Sequence, residues 1–231
     1  MRMFADRLLR GAIASIAMLS LAGCESLGTQ QSVGGRIAMQ LYKQTFGEPA
    51  KISRDAASSI AFATIGVNFG SADQAMMVLG TSRSGYLDWY SSNHVMIQTR
   101  KGRVVATSGL PYSLTHLSLV MPGNKPDQNN GALPAPGSHY TLVFDFRDLD
   151  VFGVDAACTL ADDGPQTIAI IGSTLKTRHL IETCSADAIG WDFENEYWTD
   201  VDTGFVWRSV QNPHPKLPAV TIEALRPATD G

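Results

Sequence analysis

The sequence predicts a mostly β protein: an antiparallel β-sandwich or partly closed barrel of ten or more strands, with one N-terminal helix. Three observations carry that prediction. From residue 60 onward, apolar residues recur with period two in short runs, and Gly, Pro, Asn and Asp punctuate the intervals between them. Only residues 34–46 (GGRIAMQLYKQTF) keep a helical period. No stretch repeats and no heptad is sustained, so many short strands and one helix must bury each other as layers around a single core.

The chain opens on a segment of a different kind. Arg2, Arg7 and Arg10 give a positive start, and residues 11–21 are all small or apolar. That run is about half the ~20 residues a spanning helix requires, so export and cleavage fit better than a permanent span. Leu21-Ala22-Gly23-Cys24 resembles the lipobox of bacterial lipoproteins, in which the cysteine thiol is diacylated and becomes the new N-terminus. The expected organisation is a signal at 1–23, a lipidated tether at 24–33, one β-rich domain at 34–226 and a tail at 227–231. By resemblance to lipoproteins in general, an Asp directly after the cysteine favours inner-membrane retention, whereas this chain has Glu25. The expected location is therefore the outer membrane, lipid-anchored and facing the periplasm. The polar tether reaches at most about 30 Å when extended.

Cleavage removes three Arg and one Asp from 18 basic and 22 acidic residues, leaving a net charge of −6. That balance speaks against nucleic acid and anionic lipid as partners. No GxxxxGK[ST] or GxGxxG loop is present, so no nucleotide cofactor is expected.

Within the body, the helix at 34–46 aligns Ile37, Ala38, Leu41 and Tyr42, and Gly47 and Pro49 end it. Strands are expected at 60–67, 75–79, 86–90, 95–99 and 103–107, with Gly102 turning a tight hairpin. Residues 115–121 put Leu117, Leu119 and Met121 on one face; 123–137 is a long Pro-containing loop; 140–146 aligns Tyr140, Leu142, Phe144 and Phe146. A meander of 154–160, 166–172 and 178–184 turns at Asp163-Gly164-Pro165 and Gly172-Ser173. A hairpin of 195–199 and 205–209, then 220–225, completes the body.

Cys158 and Cys184 remain after lipidation of Cys24, in an oxidising compartment that favours a disulfide. The meander sets a strand between them, a separation of about 9–10 Å, which exceeds the ~7 Å that a bridge spans. The bridge is kept as the expectation, on condition that the middle strand is short there or the third curls over.

Chemistry is harder to find. The five histidines fall singly in separate segments, without HExxH or CxxC spacing, so no metal site is expected. There is no GxSxG elbow. Asp192, Glu194 and Glu196 share one side of an extended segment, which admits glycosidase-like acid–base work, though a solvated strand face is the commoner use of such a pattern. Residues 200–204 (DVDTG) open like a calcium loop but lack the downstream bidentate Glu, so a hairpin turn is expected. Among the aromatics, Trp89 and Trp207 read as core beside Leu87 and Phe205. Tyr86, Tyr90, Tyr197 and Trp198 are the candidates for contact with a polysaccharide or a partner protein.

Two stretches carry a resemblance. Residues 85–90 (GYLDWY) with 95–110 (VMIQTRKGRVVATSGL), and residues 195–200 (NEYWTD) with 204–211 (GFVWRSVQ), resemble the YjbF/GfcB lipoproteins. In that family a tryptophan strand leads into T-R-x-G-R-[IV]-x-x-T-x-G-L, and the chain closes on N-x-Y-W-x-D…G-x-V-W-x-S-x-Q. The loop at 123–137 has no counterpart in the pattern. The resemblance implies a periplasm-facing, mostly β lipoprotein that is a non-catalytic accessory to capsule or exopolysaccharide export. It implies as partners an outer-membrane β-barrel and a periplasmic β protein of the same system, and it supplies no catalytic residues.

Overall fold

The computed structural model describes residues 50–125 and 131–228. Cys24 and the helix expected at 34–46 lie outside the described residues.

Among the described residues, twelve antiparallel strands form one sheet. They are β1 (Thr64–Phe69), β2 (Ala75–Arg83), β3 (Tyr86–Tyr90), β4 (Met96–Arg100), β5 (Arg103–Ser108), β6 (His116–Val120), β7 (His139–Phe146), β8 (Val151–Ile170), β9 (Ser173–Ala186), β10 (Trp191–Asp200), β11 (Val206–Gln211) and β12 (Val220–Arg226). The spatial order is β5-β4-β3-β2-β1-β12-β11-β10-β9-β8-β7-β6. Each strand therefore lies beside its neighbours in sequence, and β12 pairs with β1. The result is a nearly closed up-and-down barrel whose seam lies between β5 and β6. There the Thr107 amide donates to the Leu114 carbonyl at 2.8 Å. Of the two layouts the sequence allowed, the barrel is the one formed.

Inward-facing rows fill the barrel. Tyr140, Leu142, Phe144 and Phe146 all point inside, as their alternation predicted, and are at most 4% exposed. At one end Phe144 meets Trp191 and Phe193 edge-on, Phe146 meets Trp191 edge-on, and Trp191 stacks on Phe193. Trp89 is buried, and its indole N–H donates to Thr99 Oγ1 at 2.8 Å.

The expected break at Asp163-Gly164-Pro165 does not occur. β8 runs through it for 20 residues, because the extra residue is taken up as a bulge between Asp162, opposite Leu180, and Gly164, opposite His179. Gly164 adopts φ 93°, and Asp162 Oδ1 accepts its amide at 2.9 Å. The last residue of β8 paired to β7 is Thr159, so beyond it β8 is an edge strand, where a proline is tolerated. The three-strand meander is thus one long hairpin. No strand separates the cysteines: Cys158 and Cys184 are direct cross-strand partners, bridged with Cα atoms 4.2 Å apart.

The far end of the β8–β9 hairpin covers the outside of the barrel. Ile168 and Ile170 pack with Leu225 of β12 and with Ala57 of a short helix, α1 (Arg54–Ser58), which the sequence reading did not foresee. Ser53 caps α1 by accepting the Ala56 amide at 3.2 Å, and Arg54 donates to Ser173 Oγ at 2.8 Å. Trp207 belongs to this outer layer, half-buried, with Phe205 beside it and 38% exposed. The expectation that both sit in the core is corrected: a β-bulge opposite Trp198/Thr199 changes the parity of β11. Below the layer, Gln74 links the Ile52 amide (3.0 Å) to Glu223 (2.9 Å) and lies flat across Gly66. A Cβ at Gly66 would stand 2.5 Å from the Gln74 amide, so a glycine is needed for that crossing.

Candidate functional site

Among the described residues, a buried polar cluster lies inside the barrel. It starts at the β4–β5 turn, where Lys101 and Gly102 take φ 50° and 85°. A Cβ on Gly102 would also stand 2.5 Å from Val206, so the turn closes tightly against β11. The turn delivers Arg103 to the interior, where it is 2% exposed. Its Nη1 and Nη2 donate to Glu182 Oε2 and Oε1 at 2.8 and 2.6 Å, a bidentate pair with a carboxylate that is fully buried on β9. Tyr140 of β7 donates to Glu182 Oε1. Asn195 Nδ2 and Tyr197 Oη of β10 donate to Oε2 at 2.6 and 3.2 Å. Gln211 of β11 completes the cluster: its Oε1 accepts the Val104 amide at 2.9 Å, and its Nε2 donates to the Gly102 carbonyl and Ser209 Oγ, each at 2.8 Å.

Electrostatics hold this cluster in one protonation state. Burial by itself disfavours the Glu182 anion, but the Arg103 charge and the donated hydrogen bonds outweigh it and keep the carboxyl below its usual range. Arg103 is held well above its ordinary value: burial opposes the cation, and the Glu182 charge prevails. Burial, with Glu182 nearby, pushes both Tyr140 and Tyr197 upward, so both remain neutral donors. A carboxylate with five hydrogen bonds has no lone pair free for proton transfer. The cluster is a strut that ties β5, beside the seam, to β7, β9, β10 and β11.

The proposed contact residues do not gather into one surface. Tyr86 is half-buried; the Arg100 guanidinium lies over its ring at 4.6 Å and donates to its hydroxyl at 3.1 Å. Tyr90 is 46% exposed on the outer face. Tyr197 is wholly buried in the strut, which removes it from the contact candidates: its parity on β10 is that of Phe193 and Asn195, which face inward. Trp198 faces outward, stacked on His179 at 4.5 Å, with its indole donating to Gln166 at 2.6 Å.

Asp192, Glu194 and Glu196 occupy the outer face of β10. Asp192 accepts from Ser185 at 2.5 Å, and Glu196 lies 2.9 Å from His179 Nε2, while Asp163 lies 2.9 Å from Nδ1. The Asp200 carboxylate is taken by Thr203, through hydroxyl and amide at 2.8 and 2.9 Å, which holds its pKa low; the segment is a hairpin turn. No trio of His, Cys, Asp or Glu arranged to hold a metal occurs among the described residues.

Sequence reasoning missed Arg103, Glu182, Asn195 and Gln211 as a unit. The signal was parity: Glu182 alternates in step with Leu180 and Cys184, and Asn195 with Phe193 and Tyr197. A further signal lies in the signature stretches themselves. One contributes Thr99 and Arg103, and the other contributes Asn195, Tyr197, Ser209 and Gln211, all of them buried.

Comparison with known proteins gives the chain a family. The chain is 24% identical over 221 residues to an uncharacterized lipoprotein, GfcB, of Escherichia coli K12, covering 95% of this chain and all of that one. The crystal structure of the hypothetical lipoprotein YmcC from Escherichia coli K12 superposes with a TM-score of 0.65 at 20% identity, over 87% of this chain and all of that one, and so shares the fold. The family model described as "Group 4 capsule polysaccharide lipoprotein gfcB, YjbF" matches residues 25–225, and the chain belongs to that family of lipoproteins.

Proposed function

We propose that the protein is a non-catalytic accessory subunit in the production and export of a capsular or other exopolysaccharide. In this reading Cys24 carries the lipid, Glu25 directs the protein to the outer membrane, and the barrel faces the periplasm. It works beside an outer-membrane β-barrel and a periplasmic β protein of the same export system. The observation that carries the reading is the family match across residues 25–225. The geometry supports its non-catalytic half: the signature residues are spent on an interior strut whose carboxylate is fully bonded, and the β10 carboxylates lie along an outer strand face. The acidic balance of the sequence agrees with a partner other than nucleic acid.

The test is complementation of a strain lacking the gene. Glu194→Gln combined with Glu196→Gln should restore the secreted polysaccharide to wild-type amount and chain length. If this variant reaches wild-type abundance but fails to restore secretion, a carbohydrate-active enzyme replaces the accessory reading.

A further inference from the structure

Residues 212–219 (NPHPKLPA), between β11 and β12, contain three prolines and therefore few backbone donors. His214-Pro215-Lys216-Leu217 folds as a β-turn, with proline at its second position and the Leu217 amide donating to the His214 carbonyl at 3.1 Å. Inside the turn, the Lys216 amide donates to Nδ1 of the His214 ring at 3.1 Å. An Nδ1 that accepts carries no proton, so the ring is neutral and its hydrogen sits on Nε2.

Three other parts of the fold enclose this ring, whose side chain is fully buried. Tyr112, from the 109–115 connection that carries the chain across the seam from β5 to β6, stacks on it with ring centres 5.4 Å apart. Phe146 of β7 meets it edge-on at 4.8 Å. Asp148, in the turn after β7, places Oδ2 3.3 Å from Nε2. Lys216 closes the arrangement, with its ammonium 5.2 Å from the centre of the Tyr112 ring. The charged and titratable groups facing the imidazole are thus Asp148, Lys216 and Tyr112. Burial disfavours the imidazolium and holds the His214 pKa below its ordinary value; Asp148 pulls the other way, and Lys216 reinforces the burial.

The neutral ring has a single lone pair to protonate, and it is the one on Nδ1 that the Lys216 amide already occupies. A proton taken from solvent there displaces that hydrogen bond and leaves two N–H donors facing each other in a buried site, which is costly. We propose that His214 is an acid-operated latch: proton uptake at Nδ1 breaks the bond to the Lys216 amide and frees residues 212–219 from the Tyr112 loop beside the seam. Because the folded value is the lower one, closure is fully favoured above the free-imidazole value of about 6.5. It weakens as pH falls through that value towards the folded one.

Amide hydrogen exchange in the full-length protein, resolved by NMR, tests the latch. At pH 7.5 the imidazole nitrogen shifts should show a bare Nδ1 and a protonated Nε2. For a ring of ordinary pKa in the open loop, the protection factor of the Lys216 amide can fall by at most about 30-fold between pH 7.5 and 5.0, and a fall of at least about fivefold is expected. His214→Gln, whose amide oxygen can take the same N–H but does not titrate, should reduce that dependence to less than about twofold. Asp148→Asn, which removes the carboxylate facing the ring, should move the midpoint to lower pH. A proton on Nδ1 at pH 7.5 overturns the inference, as does a Lys216 protection factor equal at the two pH values. A His214→Gln protein with the wild-type dependence, or an Asp148→Asn midpoint that stays or rises, also overturns it.

Discussion

Replacing Arg103 with Met removes the cation from the interior strut but keeps most of its volume. Glu182 then remains wholly buried with Tyr140, Asn195 and Tyr197 as donors and no opposing charge. Breaking a buried pair from one side costs about 3–5 kcal/mol. For a chain of this size that lowers Tm by about 6–20 °C, at roughly 2–4 °C per kcal/mol. The pH dependence separates this mechanism from simple loss of packing. In the wild type, Glu182 has a depressed folded-state pKa. Its contribution is therefore present above the unfolded carboxylate value of about 4.3 and lost as pH falls through the folded value. Without Arg103, burial raises the folded pKa above the unfolded one, and the sign reverses. Protonation then relieves the buried charge, so the deficit of Arg103→Met should be largest near neutral pH and shrink towards pH 4–5. Urea unfolding at pH 7.5 and pH 4.5, with both proteins at each pH, measures the difference. A deficit below about 1 kcal/mol, or one that grows on acidification, would refute the strut as a charge-dependent device.

Three further outcomes follow from the same packing. Trp89→Ala should cost about 3–5 kcal/mol, as for a buried Trp, whereas Trp207→Ala, half-buried in the outer layer, should cost about half as much; thermal melts of the two side by side check the order. Cys158→Ser with Cys184→Ser should lower stability in urea by about 3.5 kcal/mol, the chain-entropy value for a loop of that length; no loss would mean that the cross-strand pairing of β8 and β9 suffices alone. Cys24→Ser should leave the protein in the soluble periplasm or with its signal uncut, read by fractionation and the mass of the N-terminal peptide. A processed mutant still bound to the outer membrane would require a protein partner as the anchor.

Much of the barrel was legible because its core rows alternate cleanly. Tyr140 to Phe146 needed no tertiary information, since a strand with one buried face writes that face into its sequence. What the sequence hid were places where the backbone departs from strict period two. The Asp163-Gly164-Pro165 run has the composition of a turn, yet the edge position of β8 lets it pass as a bulge. That one difference converted a meander into a hairpin and brought Cys158 opposite Cys184. The bulge in β10–β11 likewise moved Trp207 from the core to the outer layer. The strut was hidden for another reason: a buried Arg or Glu contradicts the expected composition of an inward face, and only pairing across the barrel makes it tolerable. Arg103 and Glu182 stand 79 residues apart, so no local window joins them.

The central claim is that the buried residues the two signature stretches contribute to the strut serve the integrity of the barrel, while the export role proposed for the protein rests on other surfaces. The most direct measurement uses Arg103→Met together with Glu182→Leu, which exchanges the ion pair for apolar side chains, a change that restores stability in many buried pairs. Its melting temperature and envelope abundance are measured first, and secreted polysaccharide is then quantified in the complemented deletion strain. The account predicts secretion in proportion to the folded protein present, at wild-type level when abundance is wild-type. A double variant that melts like the wild type and accumulates normally but secretes no polymer would contradict it and place the strut itself in the export function.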